Sequence, residues 1–145
     1  MPVEQNIALV KRFFEAVNNV RGDPARVAAL IDGFVAPEHV AHSPTGDTKL
    51  EQTAQMWAML FTAFPDMNER ILDIVAQGDR VVTRQEVTGT HSGNFTGMPP
   101  SGKEFHFGEA SIFRVDGGKL HEEWSFPDLL GLMQQFGAIP PGPSK

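Results

Sequence analysis

The chain has no cysteine, an absence that excludes disulfides, thiolate metal sites, iron–sulfur clusters and cysteine nucleophiles together. It has no apolar run approaching the length of a membrane span, so a membrane partner is not expected. Positive charge is thin: 12 Lys and Arg stand against 18 Asp and Glu, the formal net charge is −6, and the basic residues are scattered. Neutralising a phosphate backbone needs them clustered, so no nucleic-acid partner is expected. The opening MPVEQNIALVKRFFEAV is interrupted by Glu4, Gln5, Lys11 and Arg12 and lacks the apolar stretch of a secretory signal. The expected compartment is the cytoplasm.

What is there is ordinary globular material, 41% hydrophobic and 21% charged over 145 residues. That length holds one core and no separate catalytic and binding domains. The expected organisation is a single domain over residues 1–138 and a proline-rich tail over 139–145, where Pro140, Pro141 and Pro143 cannot continue a helix. Ile7, Val10, Phe14 and Val17 recur at helical spacing and predict an amphipathic helix over 3–20. Asp23-Pro24 is a helix-opening pair for a short second helix that Gly33 is expected to end. Residues 34–46 contain two prolines and predict a short strand or an irregular loop carrying His39 and His42. Thr48 and Glu51 have capping-box spacing for a third helix, closed by Pro65. Segments 67–76, 81–91, 104–115 and 120–126 are rich in β-branched and aromatic residues and are separated by turn signals, which predicts an antiparallel meander. A short helix over 129–136 follows. Helices first and an antiparallel sheet afterwards make the fold class α+β.

Several local patterns follow one another in a fixed order. Phe64-Pro65-Asp66 closes the third helix, followed by Gly78-Asp79-Arg80-Val81-Val82 and Gly89-Thr90-His91-Ser92-Gly93. Then come Gly97-Met98-Pro99-Pro100-Ser101-Gly102-Lys103, Phe113-Arg114-Val115 with Gly118-Lys119-Leu120, and Phe126-Pro127-Asp128. In this order they resemble the SnoaL-like polyketide cyclases of the NTF2-like superfamily over nearly the whole chain. The resemblance implies a cone in which a curved, mostly antiparallel sheet wraps around helices, paired as a homodimer through the outer sheet face. It also implies intramolecular aldol cyclisation of an apolar polyketide-type carbonyl compound, with no cofactor and no metal. In that family the base is an Asp three residues before the Asp of the Pro-Asp pair, assisted by a His on the neighbouring strand. This chain has Ser125 at the first position and Ser111 at the second.

The base must then be another residue, or the cone only binds. Strand alternation puts His121, Glu123 and Ser125 on one face of the last strand, and Phe105, Phe107, Glu109, Ser111 and Phe113 together on the strand before it. Glu109 and Glu123 are therefore either acids of the cavity, raised in pKa by apolar neighbours, or sheet-surface or ion-paired glutamates. Asp128 reads as the cap of the last helix or as a base at the rim. His91, at a strand end, and His42, in the segment expected to cross the mouth of the cone, are candidate proton carriers or hydrogen-bonded structural histidines. His39 and His106 are expected to face solvent or the outer surface. Trp57 and Phe61 are core residues or flat surfaces for a ring system, Phe107 shares the cavity face, and Met98 sits in a Pro-rich loop that reads as a lid or an oligomer contact.

Four functions compete: a cyclase-like or isomerase-like enzyme, a non-catalytic hydrophobic ligand carrier, an interface protein with a collapsed pocket, and an epoxide hydrolase. The last would enlist Arg84 with Asp128.

Overall fold

The computed structural model describes residues 2–143. In chain order it has α1 (Val3–Asn18), α2 (Pro24–Phe34), β1 (Val35–Ser43), β2 (Gly46–Lys49) and α3 (Leu50–Ala63), followed by β3 (Asn68–Gln77), β4 (Arg80–Thr90), β5 (Glu104–Asp116), β6 (Lys119–Pro127) and α4 (Leu129–Gln135). The strands form one six-stranded sheet in the order β2-β1-β6-β5-β4-β3. All neighbours are antiparallel except β1 and β6, which run parallel. This is the α+β cone, with helices against one face of a curved, mostly antiparallel sheet.

Local chemistry sets the boundaries. The Asp23 carboxylate accepts the Ala25 N–H at 3.0 Å and opens α2. That helix runs through Gly33 to Phe34 and passes directly into β1, so the expected stop at Gly33 is displaced by one residue. The segment 34–46, open between strand and loop, forms the nine-residue β1 because it gains a partner on each edge. The expected Thr48–Glu51 capping box does not form. Thr48 is held in β2 opposite Ala41, its hydroxyl meets that of Thr53 at 2.7 Å, and Lys49 becomes the cap, its N–H donating to Gln52 Oε1 at 3.3 Å. The β5–β6 hairpin turns on Gly117 and Gly118, with φ of 57° and 75°, positive values that a two-residue turn of this hand requires and glycine supplies without strain. Past α4, residues 139–143 hold neither helix nor strand, and the rest of the expected tail, 144–145, lies outside the described residues.

Two apolar clusters flank the space between helices and sheet. One joins Leu9, Val10, Phe13, Phe14 and Val17 of α1 to Val81, Phe113, Val115 and Leu120 of the sheet. Phe113, 1% exposed, meets Phe14 edge-on at 6.0 Å. The other joins Phe64, Val87, Phe95, Phe105 and Leu132 at the opposite end. Alternation along β6 is broken at its start: Glu122 pairs with Arg114 and Leu120 with Val115, so His121 is left unpaired as a bulge. The bulge turns Leu120 into the core at 0% exposure and His121 away, reversing the faces that uninterrupted alternation gives them.

Candidate active site

Between the two clusters the cone holds a cavity of about 620 Å³, walled by α1, α3 and α4 and by the concave face of the sheet. Most of its wall is apolar: Phe13 and Phe14 of α1, Trp57 and Phe61 of α3, and Phe107 of β5 all reach it. The wall contains no Lys, Arg or His among the described residues. A band of polar groups lies together on the sheet, namely Glu69 of β3, Gln85 of β4, Glu109 and Ser111 of β5, and Glu123 and Ser125 of β6, while Ser43, Thr45 and Thr96 add hydroxyls elsewhere on the wall.

Register explains this gathering. Gln85 is opposite Glu109, and Thr83, Ser111 and Ser125 lie side by side across three strands. Gln85 has both amide hydrogens and its carbonyl oxygen engaged: its Nε2 donates to Glu109 Oε2 at 3.0 Å and to Ser111 Oγ at 3.1 Å, while its Oε1 accepts from the Thr83 hydroxyl at 2.9 Å. The Ser125 hydroxyl donates to Glu123 Oε1 at 3.2 Å. The Glu69 and Glu109 carboxyls are neighbours in this cluster, and each acts on the ionisation of the other.

All three carboxyls are raised in pKa. Burial, and after it the neighbouring Glu109 carboxylate, holds Glu69 well above the usual range. Burial also raises Glu109, while hydrogen bonds from Glu69 and Gln85 act the other way, so within this pair the proton rests on Glu69. Glu123 is pushed up to about 7 by burial and then by the charge of Glu109, with the Ser125 hydrogen bond opposing. A water-poor cavity thus contains one carboxyl that exchanges protons near neutrality and a second that keeps its proton.

Of the residues singled out by sequence, Glu109, Glu123, Trp57, Phe61, Phe107, Ser111 and Ser125 border this cavity. The others lie elsewhere. His42 is not in a loop at the mouth. It sits on the outer face of β1, stacked on Trp124 at 5.0 Å and bonded through Nδ1 to Asp47 at 2.8 Å and through Nε2 to Glu122 at 2.6 Å. Those bonds raise its pKa. Its neighbours Ala41 and Ser43 take the cavity face, as the two-residue period of a strand demands. His91 is buried beside the second cluster, its Nδ1 3.0 Å from Ser101 Oγ and its ring stacked on Phe136 at 4.5 Å. Asp128 accepts the Gly131 N–H at 2.9 Å and caps α4 outside the cavity. Met98 packs on the second cluster across a tight turn from Phe95, and Phe95, not Met98, reaches the cavity. His121 bonds the Asp116 carbonyl and Glu38.

His106 is exposed as expected, but His39 is 1% exposed with neither ring nitrogen hydrogen-bonded, because alternation from Ala41 turns it inward. Arg84 points outward to Asp73 at 2.6 Å, which separates it from Asp128 and leaves the epoxide-hydrolase set without its arginine in the cavity. Glu69 and Gln85 are the cavity residues that sequence reasoning missed. For Gln85 the available signal was alternation along β4, which puts it on one face with Thr83 and Val87, whereas Glu69 faces inward only through the pairing of β3, where it stands opposite Val87.

Comparison with known proteins gives matches over nearly the whole chain. A family model described as SnoaL-like polyketide cyclase matches residues 8–136. The aklanonic acid methyl ester cyclase DnrD of Streptomyces peucetius is 25% identical over 137 residues, covering 94% of each chain. AclR of Streptomyces galilaeus, a proposed hydroxylase, superposes with a TM-score of 0.87 at 25% identity, over 99% of this chain and 87% of that one. IdmH of Streptomyces antibioticus, a proposed polyketide cyclase, gives a TM-score of 0.77 at 30% identity, over 92% of this chain and 99% of that one. With the family model matched across the whole sheet and into all four helices, the chain belongs to the SnoaL-like polyketide cyclases.

Proposed function

We propose that the protein cyclises or isomerises a neutral, apolar carbonyl compound of polyketide type by acid/base chemistry that draws on no cofactor, with Glu123 as the base. One observation carries the reading: Glu123 borders the cavity on the same strand face as Ser125, where the family resemblance puts the base. Two residues along a strand is a displacement of about 7 Å. The carboxylate has moved by one step of the pleat and stays inside the same space. A pKa of about 7 leaves a large ionised fraction at neutrality and makes that carboxylate basic enough to take a proton from a carbon flanked by carbonyls. Ser125 orients it. The flat walls of Trp57, Phe61 and Phe107 suit a ring system, and a wall with three acids and no cation suits a substrate without a negative charge.

The reading extends to a cytoplasmic homodimer joined through the outer sheet face. Val75 and Phe126, 62% and 58% exposed there, support that pairing, and Phe126→Glu is expected to give monomers in sedimentation.

Aklanonic acid methyl ester, the compound in the relative's name, is a suitable first probe. Glu123→Gln is expected to lower its turnover by about a hundredfold or more. His42→Ala, on the outer face, is expected to leave turnover unchanged. Turnover that survives Glu123→Gln rejects the assignment. A second reading, a carrier that binds without reacting, is favoured by the two serines at the family's functional positions, and a ligand retained through purification and released unaltered would establish it.

A further inference from the structure

Glu69 is placed with unusual care for an edge-strand glutamate. β3 ends the sheet, so one side of its backbone has no neighbouring strand. At Glu69 that side is closed by Asn18 of α1, whose Oδ1 accepts the Glu69 N–H at 2.8 Å and whose Nδ2 donates to the Glu69 carbonyl at 2.9 Å. A single amide side chain thus stands in for a strand partner at one residue and pins that residue's backbone. The Glu69 side chain borders the same cavity as Glu109, whose Oε2 accepts from Gln85. The charged or titratable groups facing it are Glu109 from β5 and Glu123 from β6, while α1, α3 and α4 present only apolar side chains to the cavity.

We infer that Glu69, which shares the cavity wall with Glu109 and Glu123, is the proton donor of the reaction, acting opposite the base Glu123. The inference rests on the cyclase reading and adds to it. In the step, the C–H bond between the substrate's carbonyls breaks and its proton goes to Glu123. The electron pair left on carbon forms the new C–C bond to the second carbonyl carbon. That carbonyl's π pair moves onto its oxygen, which takes the proton of Glu69. The enzyme ends with one proton more on Glu123 and one fewer on Glu69, and the substrate is isomerised with no atom gained or lost. Two adjacent carboxylates, Glu69 and Glu109, then repel each other, which drives the proton back and resets the site.

The two roles separate in one experiment with aklanonic acid methyl ester in deuterated water, following deuterium uptake at the acidic carbon and ring closure together. In Glu69→Gln the new amide keeps the size and polarity of the side chain but has no acidic proton to give. Closure is expected to fall by about a hundredfold while uptake stays within a few-fold of the parent. Glu123→Gln is expected to lose both. A pH series on the unmodified protein needs no variant: closure should fall at alkaline pH, where Glu69 is deprotonated, while uptake stays at its plateau. Closure kept in Glu69→Gln, or closure and uptake sharing one alkaline profile, overturns the donor role alone. Neither uptake nor closure in the unmodified protein overturns the cyclase reading and the donor role with it.

Discussion

A carboxyl group that ionises near 7 in the fold and near 4.5 outside it weakens the fold at every pH above the lower value. For Glu123 the folded state holds the extra proton between those values, so stability falls as pH rises from about 4.5 to about 7 and stays lowered above. The cost is on the order of 3 kcal/mol. Glu123→Gln is therefore expected to be more stable than its parent at pH 8 by roughly that amount, with the gain vanishing at pH 4, as urea unfolding at the two pH values will register. His39 acts with the opposite sign. Its imidazole titrates at about 4 instead of 6.5, burial being the main cause and the charge of His121 the next. Between those values only the unfolded chain holds the proton, so stability is lost as pH falls through that window. Compared with its parent, His39→Leu is expected to gain stability steadily as pH drops from about 6.5 to about 4, by an amount on the order of 3 kcal/mol. A difference that is flat with pH would show that the ring is not held neutral by burial.

At the scale of the elements, β6 carries most of the argument. Its alternation makes Glu123 and Ser125 legible as cavity neighbours from sequence, and the aromatic run of β5 does the same for Phe107, Glu109 and Ser111. The alternation fails for His121 and Leu120, because a bulge shifts the faces by one residue and neither side chain announces it. His42 fails for a related reason. Two prolines made β1 read as a possible loop, yet β1 is held between β2 and β6, and a strand there sends His42 outward and His39 inward. Glu69 was illegible because its facing depends on a second irregularity between Ile71 and Asp73 and on an asparagine far away in the chain. Asp128 shows a local signal read correctly: a carboxylate before a short helix finds that helix's free N–H groups. Asp128→Ala is expected to cost about 1 kcal/mol through the loss of the cap, while Asp128→Asn nearly preserves both stability and turnover. Loss of turnover in the Asn variant with the fold intact would return Asp128 to the site.

For the whole molecule, the order of elements matters more than any one of them. Two apolar clusters at opposite ends keep helices and sheet apart at the middle, and the space between them is the cavity. Its apolar wall leaves three carboxyls poorly solvated, so the packing that stabilises the fold also creates the pKa-shifted groups to which we assign the chemistry. Where the resemblance puts the base and its assisting histidine the chain has Ser125 and Ser111, and Glu123, one pleat from Ser125, is the carboxylate we propose as the base. Deuterium uptake by aklanonic acid methyl ester at its acidic carbon, followed against pH, tests that substitution most directly. The account predicts uptake that rises with an apparent pKa near 7 and disappears in Glu123→Gln. Uptake of unchanged rate and pH dependence in Glu123→Gln would contradict it.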